Sequence, residues 1–170
     1  MKKILLILAG IILTIIPFKE KKEDVIIPDE SIRLRVISNS NDELDIKKKL
    51  ELKTYLEGIL YNLIKDVSSK EEANEIIINN LDEINNRIYS FLGNGNYKLD
   101  YGQNFFPSKV YKGVVYKEGM YDSVVVTIGN GNGSNWWCVL FPPLCLIEDN
   151  DTTTDVEYKL FVSRIIDKLR

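Results

Sequence analysis

Apolar and polar positions alternate with a period of two at the start of the folded region. Ile32, Leu34 and Val36 lie on one side with Arg33 and Arg35 between them, so residues 31–38 read as a half-buried strand with a solvated or salt-bridged arginine face, contact with anionic lipid or a partner carboxylate being the alternative. The period then becomes helical. Leu52, Leu56, Ile59, Leu60, Leu63 and Val67 share one stripe, and Asn39-Ser40-Asn41-Asp42 supplies N-caps for a helix running to about Asp66. Lys47, Lys48 and Lys49 read as its wet face. Ser68-x-x-Glu71 is a capping box for a second helix, with Ala73, Ile77, Leu81, Ile84, Ile88 and Phe91 in line. Asn79-Asn80 and Asn85-Asn86 weaken that helix, and Gly93-Asn94-Gly95 stops it. Two amphipathic helices with a short link predict an antiparallel hairpin.

From Asn96 the period returns to two. Tyr97, Leu99 and Tyr101 alternate with Lys98 and Asp100, and residues 110–116, 121–128 and 136–141 are further β-rich runs. Glu118-Gly119 turns the chain between the middle two. Gly129-Asn130-Gly131-Asn132-Gly133 reads as a tight turn, and Pro142-Pro143 ends the last strand because neither residue has an N–H for a sheet ladder. After an acidic loop at 148–151, Thr154-x-x-Glu157 opens a closing helix with Val156, Leu160, Phe161, Ile165 and Leu169 as its apolar face. This order predicts an α+β fold: a mainly antiparallel sheet with a helical hairpin and a C-terminal helix packed on it, the helices covering one sheet face.

The N terminus follows another pattern. Lys2-Lys3 precedes the unbroken apolar run Ile4–Ile16, which is short for a membrane span and fits a signal peptide. No clear small-x-small cleavage site follows, so residues 1–18 read as a signal peptide or an N-terminal membrane anchor. Residues 19–30 read as a charged linker and 31–170 as one domain.

Composition narrows the chemistry. The 170-residue chain contains no histidine and only two cysteines, which removes Ser-His-Asp and Cys-His catalysis and imidazole zinc sites. An all-thiolate zinc site with four ligands is likewise out of reach within one chain. The reading is a non-enzyme without a cofactor or metal. Net charge is −3, which argues against nucleic acid as a partner.

Both cysteines lie in the last strand region, Cys138 and Cys145 flanking the Pro-Pro reversal. An oxidising compartment favours their pairing; two buried free thiols and a reactive thiol are the alternatives, and no cationic side chain lies nearby in sequence to activate one. The glycine turn lacks the G-x-G-x-x-G spacing and the following helix that a dinucleotide site needs. Trp136 and Trp137 point to opposite faces of a strand, so one is core. The other is covered by the fold, anchors a protein interface or stacks on a sugar.

WWCVLFPPLC behind a glycine-alternating turn resembles the signature of the stage II sporulation protein R family. Ile32–Ile37 with Asn39-Ser40, Phe106-Pro107 with Tyr111, Gly119-x-Tyr121, and Ile128-Gly129 through Cys145 follow in the family's order. Ser38, Asn41 and Lys117-Glu118 depart from its usual residues. The resemblance implies a protein made in the forespore and exported to the septal intermembrane space. There it would activate the membrane-embedded aspartic protease stage II sporulation protein GA, which processes pro-sigma-E. Membrane contact would be confined to export or to the leader. The expected partner-binding residues are Asn39, Ser40, Phe106, Pro107, Trp136, Trp137, Pro142 and Pro143. A cell-wall-binding module using the tryptophans, or a carboxylate-only wall hydrolase, is the rival class.

Overall fold

Strand β2 (Ile32–Ile37) runs through the interior of a four-stranded sheet, between neighbours that come from the far end of the chain. The computed structural model describes residues 25–93, 95–145 and 153–168. The leader, the first part of the linker, Asn94, the acidic loop and Leu169 lie outside the described residues. The elements are β1 (Val25–Ile26), β2, α1 (Glu43–Ile64), α2 (Lys70–Asn79), α3 (Leu81–Leu92), β3 (Tyr97–Phe106), β4 (Lys109–Tyr111), β5 (Val114–Tyr116), β6 (Gly119–Ile128), β7 (Asn135–Phe141) and α4 (Asp155–Lys168).

The main sheet has the order β3-β6-β2-β7, and a small sheet has the order β1-β5-β4. The fold is α+β. Three pairings are antiparallel, but β2 runs parallel to β6, and β1 runs parallel to β5. Both sheets are therefore mixed, because the long excursion through the helices returns the chain in the direction in which it left.

Alternation along each strand divides the protein into two cores. Ile32, Leu34, Val36, Val124, Val126, Cys138 and Leu140 face α1, α2 and α3. Trp137, Val139, Tyr121 and Phe106 face the small sheet and α4 in a second cluster that includes Ile27, Tyr116 and Tyr158. The expectation that helices cover one face only is corrected: α4 and the small sheet close the other face. For the same reason the arginine face is covered at Arg33, while Arg35 stays half-buried at its margin. Arg33 is fully buried, its guanidinium carbon 3.5 Å from the Tyr121 ring centroid and 4.8 Å from that of Trp137, with Nη2 donating to the Lys117 carbonyl at 3.0 Å. Aromatic faces and a backbone carbonyl replace water around the charge.

Several local expectations shift in detail. Val25–Ile26 pairs with β5 and Ile27 is buried, so the second half of the charged linker belongs to the domain. The 110–116 run is two strands, turned at Lys112 (φ 46°) and Gly113 (φ 72°) with the two positive φ values of a tight hairpin. The second helix breaks into α2 and α3 at Asn80, whose side chain donates to the Ile76 carbonyl. The capping box sits one residue later than predicted: Ser69 Oγ accepts from the Glu72 amide, and Glu72 accepts from the Ser68 amide. The box at Thr154 and Glu157 forms as predicted. The buried stripe of α4 is Tyr158, Val162 and Ile166, while Val156, Leu160 and Phe161 are exposed. Tyr158 sets this rotation by meeting the Tyr116 hydroxyl at 2.5 Å and the Tyr111 ring edge-on.

Candidate partner-binding surface

One end of the main sheet is built from two loops clamped together. Asn39 Nδ2 and Ser40 Oγ both donate to Asp45 Oδ2, at 2.8 and 2.7 Å, which ties the loop after β2 to the first turn of α1. The glycine turn then docks on that loop. The Asn130 amide donates to Asn39 Oδ1, the Asn132 amide to the Asn39 carbonyl, and the Ser134 amide to Asn41 Oδ1. The closeness of this docking explains the glycines: a Cβ at Gly133 would lie 2.1 Å from the Ser40 carbonyl oxygen, and one at Gly129 would lie 2.1 Å from Asn39 Oδ1.

The same hydrogen bonds act on Asp45. Donation from Ser40, then from Asn39, holds its carboxyl below the ordinary aspartate range. A folded value below the unfolded one gives stability that is present above about pH 4 and is lost as pH falls through the lowered value. The amide NMR signals of Asn130 and Asn132 are expected to hold steady down to about pH 4 and to shift together below it. Movement of either at higher pH would mean that the clamp does not depend on Asp45.

Behind the turn, a polar stripe on α1 follows β7. Lys49, Lys53 and Glu57 are buried one turn apart, where the sequence suggested solvent for Lys49. Lys49 Nζ donates to Ser134 Oγ at 2.8 Å, and burial pushes its ammonium down from the usual lysine value. Lys53 Nζ lies 3.2 Å from Glu57 Oε2 and 4.6 Å from the Trp136 ring centroid. The spacing 49, 53, 57 was visible in the sequence. It was not singled out, because charged residues on a long helix normally face water.

Glu57 reaches the cysteines. Its carboxylate and the sulfurs of Cys138 and Cys145 lie within 4.8 Å of one another, the cluster of metal-type ligands found among the described residues. The two sulfurs are at disulfide distance, with Cα atoms 5.2 Å apart. While they are joined, neither is free to bind a metal.

The expected partner-binding residues divide. Asn39, Ser40 and Trp136 gather at the clamped end, each half-buried. Phe106 and Pro107 lie at the opposite end, since Ile37 pairs near Thr127 whereas Phe106 pairs with Gly119. Phe106 and Trp137 are buried and touch edge-on, with centroids 5.4 Å apart in the second core. Pro107 is exposed, Pro142 is buried behind a cis peptide bond, and Pro143 is half-buried. Beside Pro107, Phe105 and Met120 form an exposed cross-strand pair. A surface drawn on these residues is two patches: Asn39, Ser40 and Trp136 at the clamped end, and Pro107 and Pro143 as the accessible residues at the opposite end, where Phe141 pairs with Ile32.

The glycine turn, the paired arginine strand and the Trp-Trp-Cys strand ending in Pro-Pro thus come together around β2 and β7. A family model described as Stage II sporulation protein R (spore_II_R) matches residues 28–151. The chain belongs to the stage II sporulation protein R family. The chain is 37% identical over 134 residues to the Stage II sporulation protein R of Bacillus subtilis (strain 168). That alignment covers 76% of this chain and 60% of the relative, so the chain spans about three-fifths of the curated relative it matches. No solved structure matches the chain. The family match begins inside the domain, just after Ile27, and takes in both loops of the clamp and both cysteines. Among the described residues, no helix is long and apolar enough to cross a membrane.

Proposed function

We propose that this chain is the exported signal of a sporulation checkpoint. Made in the forespore, it crosses into the septal intermembrane space and activates the membrane-embedded aspartic protease stage II sporulation protein GA, which then processes pro-sigma-E. Membership of the stage II sporulation protein R family carries this reading. The basic and apolar leader sequence and a cysteine pair at disulfide distance suit an extracytoplasmic route. The role is binding and not catalysis. A preformed surface that fits one state of the protease better than another shifts its population toward that state.

The surface we assign to the protease is the clamped end: the Asn39-Ser40 loop, the glycine turn and Trp136. Trp136 is the natural anchor, being half-exposed at the edge of a rigid loop pair. Use of Trp136 as a sugar platform is less favoured, because the Lys53 ammonium already lies against its ring.

The test is a reconstitution in non-sporulating cells that carry the protease and pro-sigma-E, with precursor length read by blot. Cleavage is expected to require this chain and its leader. Absence of cleavage with an exported, folded chain would overturn the reading and turn attention to peptidoglycan pull-down. In the same assay, Trp136→Ala is expected to abolish cleavage while costing about 1–2 kcal/mol of stability. Full activity of that variant would move the contact away from the clamped end.

A further inference from the structure

The main sheet has two outer edges, and they are finished differently. On β7, the Trp137 carbonyl accepts from Lys109 Nζ at 3.1 Å and the Val139 carbonyl accepts from the Leu144 amide at 3.2 Å, so side chain and loop cover the strand. On the other side β3 is the terminal strand, paired with β6 through ten consecutive residues from Tyr97 to Phe106 without a bulge. Among the described residues, no strand lies against its outer edge.

Natural edges are blunted by proline, bulges or an isolated charge, usually lysine. β3 has neither proline nor bulge, and its lysine is not isolated. Lys98 and Asp100 share one face, Nζ and Oδ1 3.9 Å apart; Lys98 is exposed and Asp100 half-buried, its other carboxylate oxygen accepting from Asn104 Nδ2. Tyr97, Leu99 and Tyr101 share the other face and line a groove of about 520 Å³ with Leu81, Asp82 and Asn85 of α3.

The segment Tyr97-Lys98-Leu99-Asp100-Tyr101 is complementary to itself when reversed. An antiparallel copy placed about Leu99 sets Lys98 opposite Asp100, Asp100 opposite Lys98, and each outer tyrosine opposite the other. A single charge would repel its own copy; this pair attracts it. We propose that β3 is a homotypic docking edge, through which two copies of the chain join their sheets antiparallel about Leu99. The joined sheet has eight strands and leaves both β7 strands outermost, about 34 Å apart at the usual strand spacing. The clamped surfaces stay accessible on each copy, and the pairing does not depend on the identity of the partner they meet.

The register is tested by cross-linking the full chain in its exported form. Copies carrying Lys98→Cys and copies carrying Asp100→Cys are co-expressed and resolved on a non-reducing gel. A mixed dimer is expected when both are present, with at least about tenfold less dimer from either alone, since only residues directly opposite approach closely enough to bond. Equal yields in all three samples, or no dimer from folded chains whose new thiols react with maleimide, would overturn the proposal. An independent arm uses charge and adds no cysteine at 98 or 100. Leu99→Cys, which bonds to its own copy across the axis, is combined with Lys98→Asp, with Asp100→Lys, or with both. Each single reversal is expected to cut the dimer about tenfold and the double reversal to restore it. Yields indifferent to these charges would rule out the register, and a persistent monomer would leave the edge to an extended segment of another protein.

Discussion

Trp137→Ala is expected to lower the unfolding free energy by about 3–5 kcal/mol, the usual range when a buried aromatic becomes a cavity. For a domain of this size that is a fall of roughly 10 °C in melting temperature. The size of the effect follows from position. Trp137 meets Phe106 and Tyr116 edge-on, at 5.4 and 5.8 Å, and lies beneath the cations of Arg33 and Lys109. Removing the ring leaves Arg33 buried with one aromatic wall missing. Thermal unfolding followed by circular dichroism measures this directly. A loss under about 1 kcal/mol would mean that the second core is not organised around this ring. Trp136→Ala should show the opposite profile, a small loss of stability with loss of signalling. The two neighbours thereby separate scaffold from surface.

The second large effect is expected at the cysteines. Replacing both Cys138 and Cys145 with alanine should cost about 2.5 kcal/mol, because a closed loop of this length removes that much chain entropy from the unfolded state. Both positions are buried, beside the Lys53–Glu57 pair. Urea unfolding of the double variant, beside the parent chain with and without reductant, gives the measurement. The reduced parent should fall close to the double variant. If reductant leaves the midpoint unchanged and the intact mass shows two thiols, the pair is not a bond in the purified protein, and the two-free-thiol alternative stands.

Strand β2 was legible residue by residue, because a period of two with β-branched residues leaves few other conformations. Its environment was not legible. Arg33 and Arg35 read as a wet face on the rule that charges seek water. What overrules it here is a layer assembled from β1, β4, β5 and α4, segments that the sequence scatters over more than a hundred residues. Arg35 shows the same effect at the margin: its guanidinium stacks 3.9 Å from the Phe106 centroid and donates to the Phe105 carbonyl. β1 was hidden because two apolar residues inside a lysine-rich stretch carry no period. The rotation of α4 was hidden because the helix carries two apolar stripes, and only a tertiary contact at Tyr158 chooses between them.

The placement of the candidate residues was legible only in part. Asn39-Ser40 and Trp136 were singled out from turn chemistry and aromatic content, and the structure brings them together at one end with the glycine turn, which the sequence offered only as a turn. Nothing local distinguished Phe106 from Phe105. The choice depends on which face of β3 meets the second core, and that is set by its register with β6. The Lys49, Lys53 and Glu57 stripe was missed because its partners, Ser134, Trp136 and the cysteines, arrive from a strand about eighty residues further on.

The strand order has a kinetic meaning. Ile32 must find Asp122 and Arg33 must find Val139, so the central strand gains both its neighbours only when segments roughly a hundred residues downstream are available. Until then its apolar face has only helices to rest on, and the second core has no floor. On the exported route proposed above, this connectivity leaves the sheet open while the chain threads N terminus first through a channel, and lets it close once β6 and β7 have emerged. Premature collapse, which would jam such a passage, is disfavoured by the order of the strands alone.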